Sequence, residues 1–285
     1  MKHLKYYIYQ LLQKTKKYNK IFFLIVILLF LTFYFYFTDL FFIKNKYKFL
    51  VIHIDTLISS ENLDINSLIR EIKKQDYYGI ILKVSSSGGS IEVLRIVNSL
   101  KEVNKTKICY IDGLATSAAY WICSITDYII ARPDSIVGNI GAYITIIDFT
   151  GFLRKIGVNI TIIKSTPYKD IGSPYRELSD FEREHLKNLL NFLTEKFVED
   201  LKSKRSNISD LALSGLWFIA EDAKKYNLID EIGEFERVNS YIIERFNLSE
   251  DKIVFKNVYF RRRKSSFLDL FFNLLYNPLL EKIFI

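Results

Sequence analysis

Ser117 lies in Ala115-Thr116-Ser117-Ala118-Ala119-Tyr120-Trp121, and Lys169 follows 52 residues later in Tyr168-Lys169-Asp170-Ile171-Gly172-Ser173-Pro174. A serine hydroxyl attacks an acyl carbon when a base takes its proton and donors receive the charge that develops on oxygen. A lysine is such a base only when neutral, a form that desolvation favours. Tyr168, Ile171 and Pro174 flank Lys169 and are expected to help bury it, while Asp170 would oppose that effect if it pointed inward. Upstream, the run Ile80–Ser87 ends in Gly88-Gly89, where bare backbone lets N–H groups approach a substrate carbonyl. The three histidines, His3, His53 and His185, offer the serine no convincing partner, and His53 reads as a packing residue in an apolar strand. Each feature alone has a plainer reading: a first-turn serine is usually a cap, Gly-Gly after a strand is usually a turn, and Lys-Asp is usually a solvated pair.

The elements that must position these residues alternate between short apolar runs and helical patterns. Strands are predicted at Phe49–Asp55, Gly79–Ser85, Ile108–Ile111, Tyr128–Ala131, Ala142–Ile147 and Ile160–Lys164. Helices are predicted at Ile65–Lys74, Ser90–Glu102, from Ser117, near Phe152, at Leu178–Lys204 with Ser179 as cap, and at Phe218–Tyr226. Strands alternating with helices imply crossover connections, hence an α/β fold with a mostly parallel sheet. Asp112-Gly113 reads as the turn leading to the Ser117 helix. That helix start would place the hydroxyl at the positive end of the dipole. One catalytic-type domain is expected over 49–258.

Residues 21–43 read as an uncleaved transmembrane anchor, since 17 uncharged residues run from Ile21 to Phe37. A cleaved signal peptide would need small residues at its exit, where this chain has Phe-Tyr-Phe-Tyr-Phe. Six lysines and no acids precede the anchor, so 1–20 is expected in the cytoplasm and the rest across a bacterial inner membrane. The chain's formal charge is +8, and residues 1–48 carry all of it. The rest is neutral, which argues against a nucleic-acid partner. Cys109 and Cys123 would face an oxidising compartment in this orientation, where either a disulfide or two buried thiols fits. No cofactor and no metal site are read. The tail, 259–285, carries the cluster Arg261–Lys264 and then an apolar helical pattern with Asp269, Asn273, Asn277 and Glu281 on one face. It suits either a membrane surface or a packed helix.

Four blocks in order resemble the signal peptide peptidase A family, membrane-anchored Ser–Lys proteases related to Clp protease in the crotonase-like fold. They are Val84–Ser90, Ala115–Trp121, Val137-Gly138-Asn139-Ile140-Gly141 and Lys169–Pro174. The resemblance covers about Phe49 to Gly233. It implies Ser117 as nucleophile, Lys169 as general base and the Gly88/Gly89 backbone as oxyanion hole. Asn139 stands where the family usually has a serine that orients the lysine. Ser87 replaces a proline, and Ala118-Ala119 replace Gly-Gly, changes that could narrow the cleft. The family implies extended apolar peptides as substrates, remnant signal peptides among them, and a ring- or dome-like homo-oligomer. The departures leave an inactive membrane scaffold as the alternative. A crotonase-type acyl-CoA enzyme is a weaker one, because coenzyme A is cytosolic.

Overall fold

The computed structural model describes residues 46–261 continuously, together with parts of 5–34 and Ile283–Phe284. The chain divides into two compact units, Met1–Tyr47 and Lys48–Ile285. In the first, residues 25–34 are helical and exposed. The expected anchor 21–43 and cytoplasmic segment 1–20 lie partly outside the described residues. Among the described residues no helix is long and apolar enough to cross a membrane.

The second unit starts from strands whose side chains are apolar on both faces. β1 (Tyr47–Ile54) and β2 (Gly79–Ser86) are nearly continuous runs of buried residues, the pattern of strands covered on both sides. β3 (Thr106–Thr116), β4 (Tyr128–Ala131), β5 (Ile136–Gly138), β7 (Trp217–Ile219), β8 (Glu231–Ile232) and β9 (Ile253–Tyr259) complete an eight-stranded sheet. Its main path runs β7-β5-β3-β2-β1-β9, with β4 and β8 branching from β3. The pairs β1–β2, β2–β3, β3–β4, β3–β5 and β4–β8 are parallel, and β5–β7 is antiparallel. The expected α/β class with a mostly parallel sheet and flanking helices is what forms.

The helices are α1 (Ile65–Ile72), α2 (Val93–Glu102), α3 (Ala118–Ser124), α4 (Thr150–Lys155), α5 (Asp180–Lys204), α6 (Ala220–Lys225) and α7 (Glu236–Phe246). α1 packs on α2, α2 on α3, and α3 on α5. Their apolar faces, Leu68, Ile96, Leu100, Phe197 and Leu201 among them, join the strands in one core. The capping box expected at Ser179 forms, with both reciprocal bonds to Glu182.

Four expectations fail. Asp112-Gly113, read as a turn, lies inside β3, which runs on to Thr116. Ile160–Lys164 has strand composition yet forms no strand and lies exposed with no neighbouring strand to pair with. Ala142–Ile147 shortens to β6 (Tyr143–Ile144), which pairs antiparallel with β10 (Ile283–Phe284). The start of Phe218–Tyr226 is strand rather than helix, because Trp217–Ile219 finds a partner in Ile136–Gly138 about 80 residues earlier. The predicted tail helix lies mostly outside the described residues, and its last positions, Ile283–Phe284, are strand.

Candidate active site

Register brings three sequence blocks to one edge of the sheet. Ser86 lies opposite Ala115, Ala115 opposite Val137, and Thr116 opposite Gly138. The turns that follow β2, β3 and β5 therefore emerge side by side at the carboxyl ends of parallel strands, where open α/β sheets bind ligands. Those turns carry Gly88-Gly89, Ser117 and Asn139.

Ser117 caps α3 with φ 56° and ψ −127°. For a residue with a β-carbon that is a strained conformation, costing on the order of 1–3 kcal/mol. It survives because its surroundings leave no alternative. The Ser117 N–H donates to the Gly138 carbonyl at 2.8 Å, and its carbonyl accepts from the Trp121 N–H at 2.9 Å. Every residue of α3 is buried. A disulfide joins Cys123 in α3 to Cys109 in β3, settling the choice left open by the sequence. Trp121 stacks on Phe197 of α5 at 4.6 Å and donates from Nε1 to Asp200 at 2.9 Å. The Ser117 side chain itself makes no hydrogen bond among the described residues.

The glycine turn is held as firmly. The Gly88 carbonyl accepts from Ile58, and Ser90 donates to the Ile58 carbonyl, both at 2.8 Å. A β-carbon on Gly89 would lie 2.1 Å from the Ile58 carbonyl oxygen, so only glycine fits. Gly88 donates its N–H to the Ser86 hydroxyl at 3.2 Å. The Gly89 N–H has no acceptor among the described residues, which makes it the better oxyanion donor of the two. Sequence reading missed Ser86, although the alternating burial Val84 in, Ser85 out, Ser86 in, Ser87 out marks it as inward-facing.

Asn139 is half-buried at φ 56°, and its N–H donates to the Leu216 carbonyl at 2.8 Å. Gly138 before it sits at φ 116°, with room for a β-carbon blocked 2.8 Å away by the same carbonyl. Ala118 and Ala119 are wholly buried in the core. Their methyl groups therefore fill the interior and do not narrow the cleft. His53 bonds Asn257 at 2.8 Å and stacks on Tyr259 at 4.1 Å, the packing role expected of it.

Lys169 is placed differently. It lies exposed in a turn and makes no side-chain bond to Ser117, Asn139 or any other described residue. Its expected cover is absent from the isolated chain. Tyr168 turns away to stack on Phe181 at 4.9 Å and stays about half exposed. Asp170 does not face Lys169 either, because Arg176 and Lys164 bind both its oxygens. The structure thus brings together Ser117, Gly88, Gly89 and the Asn139 turn, and leaves Lys169 outside that group.

A strained serine on a strand-to-helix turn, beside a glycine N–H at the carboxyl edge of a parallel sheet, defines a candidate serine hydrolase. The chain belongs to Peptidase family S49, whose description matches residues 99–248. A putative protease of Methanocaldococcus jannaschii is 34% identical over 195 residues, covering 66% of this chain and 63% of that protein. Protease 4 of Haemophilus influenzae is 27% identical, with 70% and 34% covered. A putative signal peptide peptidase SppA of Enterococcus faecium is 26% identical, with 70% and 62% covered. The chain spans less than two thirds of each of these relatives. A solved membrane-bound stomatin-specific protease, in complex with a substrate peptide, has 17% identity and a TM-score of 0.48, over 81% of this chain and 98% of that one.

Proposed function

We propose that this S49 peptidase is a membrane-anchored serine endopeptidase, with Ser117 as nucleophile and Lys169 as general base, acting on extended apolar peptides such as remnant signal peptides. The observation that carries the reading is the strained backbone of Ser117, φ 56° and ψ −127°, on the turn that the Ser86–Ala115 register sets beside the Gly88-Gly89 turn. Strain of this kind is retained where it aims a reacting group.

In the proposed reaction, neutral Lys169 accepts the hydroxyl proton as Ser117 Oγ bonds to the scissile carbonyl carbon. The carbonyl electron pair moves to oxygen, where the free N–H of Gly89 in the Gly88-Gly89 turn receives it. Collapse of this intermediate breaks the C–N bond, and the lysine ammonium gives its proton to the leaving amine. Water then attacks the acyl-enzyme with Lys169 again as base, releasing the acid and restoring Ser117. The substrate main chain pairs with a strand edge at the cleft.

An exposed lysine is a poor base, so this reading requires a surface that covers Lys169. The segment around it displays Phe149, Phe152, Ile163 and Tyr168, all 45% exposed or more. So many exposed large apolar side chains in one stretch of chain support a homo-oligomer that covers them. The basic residues before 21 support an anchor in a bacterial inner membrane with the catalytic unit outside.

The test is cleavage of a synthetic signal peptide and of an unfolded protein by full-length chain in lipid. Ser117→Ala and Lys169→Ala are each expected to lower kcat at least a thousandfold. Full activity in Lys169→Ala would remove the dyad. No cleavage by the folded parent would favour the scaffold reading, for which the isolation of Lys169 is the supporting observation.

A further inference from the structure

We infer that Arg176 is a positioning residue that holds Asp170 away from Lys169 and so keeps the general base free of an adjacent carboxylate. The inference rests on the role proposed for Lys169, and the groups it uses lie outside the Ser117 cluster.

The turn that carries Lys169 has a fixed backbone. Lys169 donates its N–H to Thr166 at 3.3 Å, Ile171 to Tyr168 at 3.1 Å and Ser173 to Asp170 at 3.0 Å. Within it the Asp170 carboxylate is fully engaged. Arg176 donates from Nε to Oδ2 at 2.8 Å and from Nη2 to Oδ1 at 2.9 Å, and Lys164 Nζ reaches Oδ1 at 2.6 Å. The same guanidinium grips Glu182 of α5, from Nη1 at 2.8 Å and from Nη2 as well. A planar fork of five N–H donors is the side chain that can serve two carboxylates in this way. Glu182 is 1% exposed and caps its helix with Ser179, so Arg176 is moored to a rigid element.

The charges balance within the group, two cations against two carboxylates. From the neighbouring elements, Asp148, Arg183 and Lys187 line the cleft that Arg176 also borders. Arg176 first, and Lys164 after it, hold the Asp170 carboxyl far below the usual carboxylate range. It therefore stays ionised throughout the working pH range. Released from Arg176, the carboxylate, ionised near neutral pH even at an ordinary aspartate pKa, would be free to turn towards the Lys169 ammonium. An opposite charge close by favours the protonated amine. Less of the lysine would then be in the neutral form that can take a proton.

The test reads Lys169 directly, without relying on turnover. Full-length protein is trace-acetylated across a pH series, and the extent at Lys169 is measured by mass spectrometry alongside cleavage of a peptide. Arg176→Gln is expected to lower Lys169 acetylation at pH 8 by three- to tenfold and to move the cleavage profile towards higher pH. The double variant Arg176→Gln with Asp170→Asn is expected to restore both. Asp170→Asn alone keeps the Arg176–Glu182 pair, so it stays folded even if Arg176→Gln does not, and its Lys169 should acetylate at least as fast as in the parent. Unchanged Lys169 reactivity in Arg176→Gln, or slower acetylation in Asp170→Asn, overturns the inference. A shifted reactivity with full cleavage in Lys169→Ala upholds the positioning and refutes the dyad instead.

Discussion

The Ser86 hydroxyl is 3% exposed, donates to the Thr56 carbonyl at 2.7 Å and accepts from the Gly88 N–H at 3.2 Å. It therefore ties the glycine turn to the segment after β1, and through it fixes where the Gly89 N–H points. Removing the hydroxyl leaves the buried Gly88 N–H and the half-buried Thr56 carbonyl without this partner, which costs roughly 1–3 kcal/mol. We expect Ser86→Ala to lower the unfolding free energy by that amount in urea and to reduce kcat tenfold or more with little change in KM. A donor that matters to the oxyanion acts on the transition state and not on substrate binding. Lost stability with unchanged kcat would make Ser86 merely structural. At this scale much of the site is legible in the sequence. Gly88-Gly89 and Ser117 announce themselves because glycine, small residues and a strand-to-helix switch are local signals, whereas Asn139 is legible only through the family resemblance. Whether Lys169 is covered is not legible, because that depends on what packs against it rather than on its neighbours in sequence.

Helix α5 spans 25 residues and connects the two halves of the proposed machinery. Near its C-terminal end Phe197 and Asp200 grip Trp121, one turn beyond Ser117. Lys101 of α2 neutralises the buried Asp200 carboxylate. At its first turn Glu182 holds Arg176, and with it the Lys169 turn. The element itself was legible: its length, Ser179 cap and Glu182 follow from pattern and capping chemistry. Its contacts were not, since Trp121 and Asp200 are 79 residues apart. The same holds for β7, whose strand state comes from pairing with β5 and overrides a local helical pattern. The Arg176 hydrogen bonds, reinforced by those from Ser179, pull the Glu182 carboxyl from 4.5 down to about 2. A carboxyl held below its unfolded value stabilises the fold at pH above about 4.5, and this contribution fades as pH falls towards 2. The melting temperature of the parent should accordingly fall between pH 5 and 2.5 more steeply than that of Glu182→Gln, by thermal unfolding in matched buffers. Parallel curves would show that this pair does not couple to folding.

For the whole molecule, the decisive fact is how unevenly apolar surface is distributed over the Lys48–Ile285 unit. Strands β1 and β2 are nearly sealed and β7 exposes Trp217 and Ile219, whereas residues 141–181 alone show Ile147, Phe149, Phe152, Ile156 and Ile163 to solvent, the last at 95% exposure. Charge does not account for this surface as a nucleic-acid or acidic-protein site, because the formal charge of +8 belongs to residues 1–48. On the proposed reading, a covering surface of the same chain would bury these side chains and Lys169 together, which would account both for the bare lysine and for its apolar surroundings. The area at stake is substantial, since each large apolar side chain contributes about 1.5–3 kcal/mol when fully buried. We therefore expect full-length protein in detergent to sediment as a defined oligomer. Phe152→Asp combined with Ile163→Asp should shift it to monomer and reduce cleavage at least a hundredfold. The melting temperature of the dissociated subunit should match that of the parent diluted to monomer, because neither side chain is part of the core. A parent that cleaves as a monomer, or a double variant that dissociates and still cleaves at the parental rate, would break the link between association and the competence of Lys169.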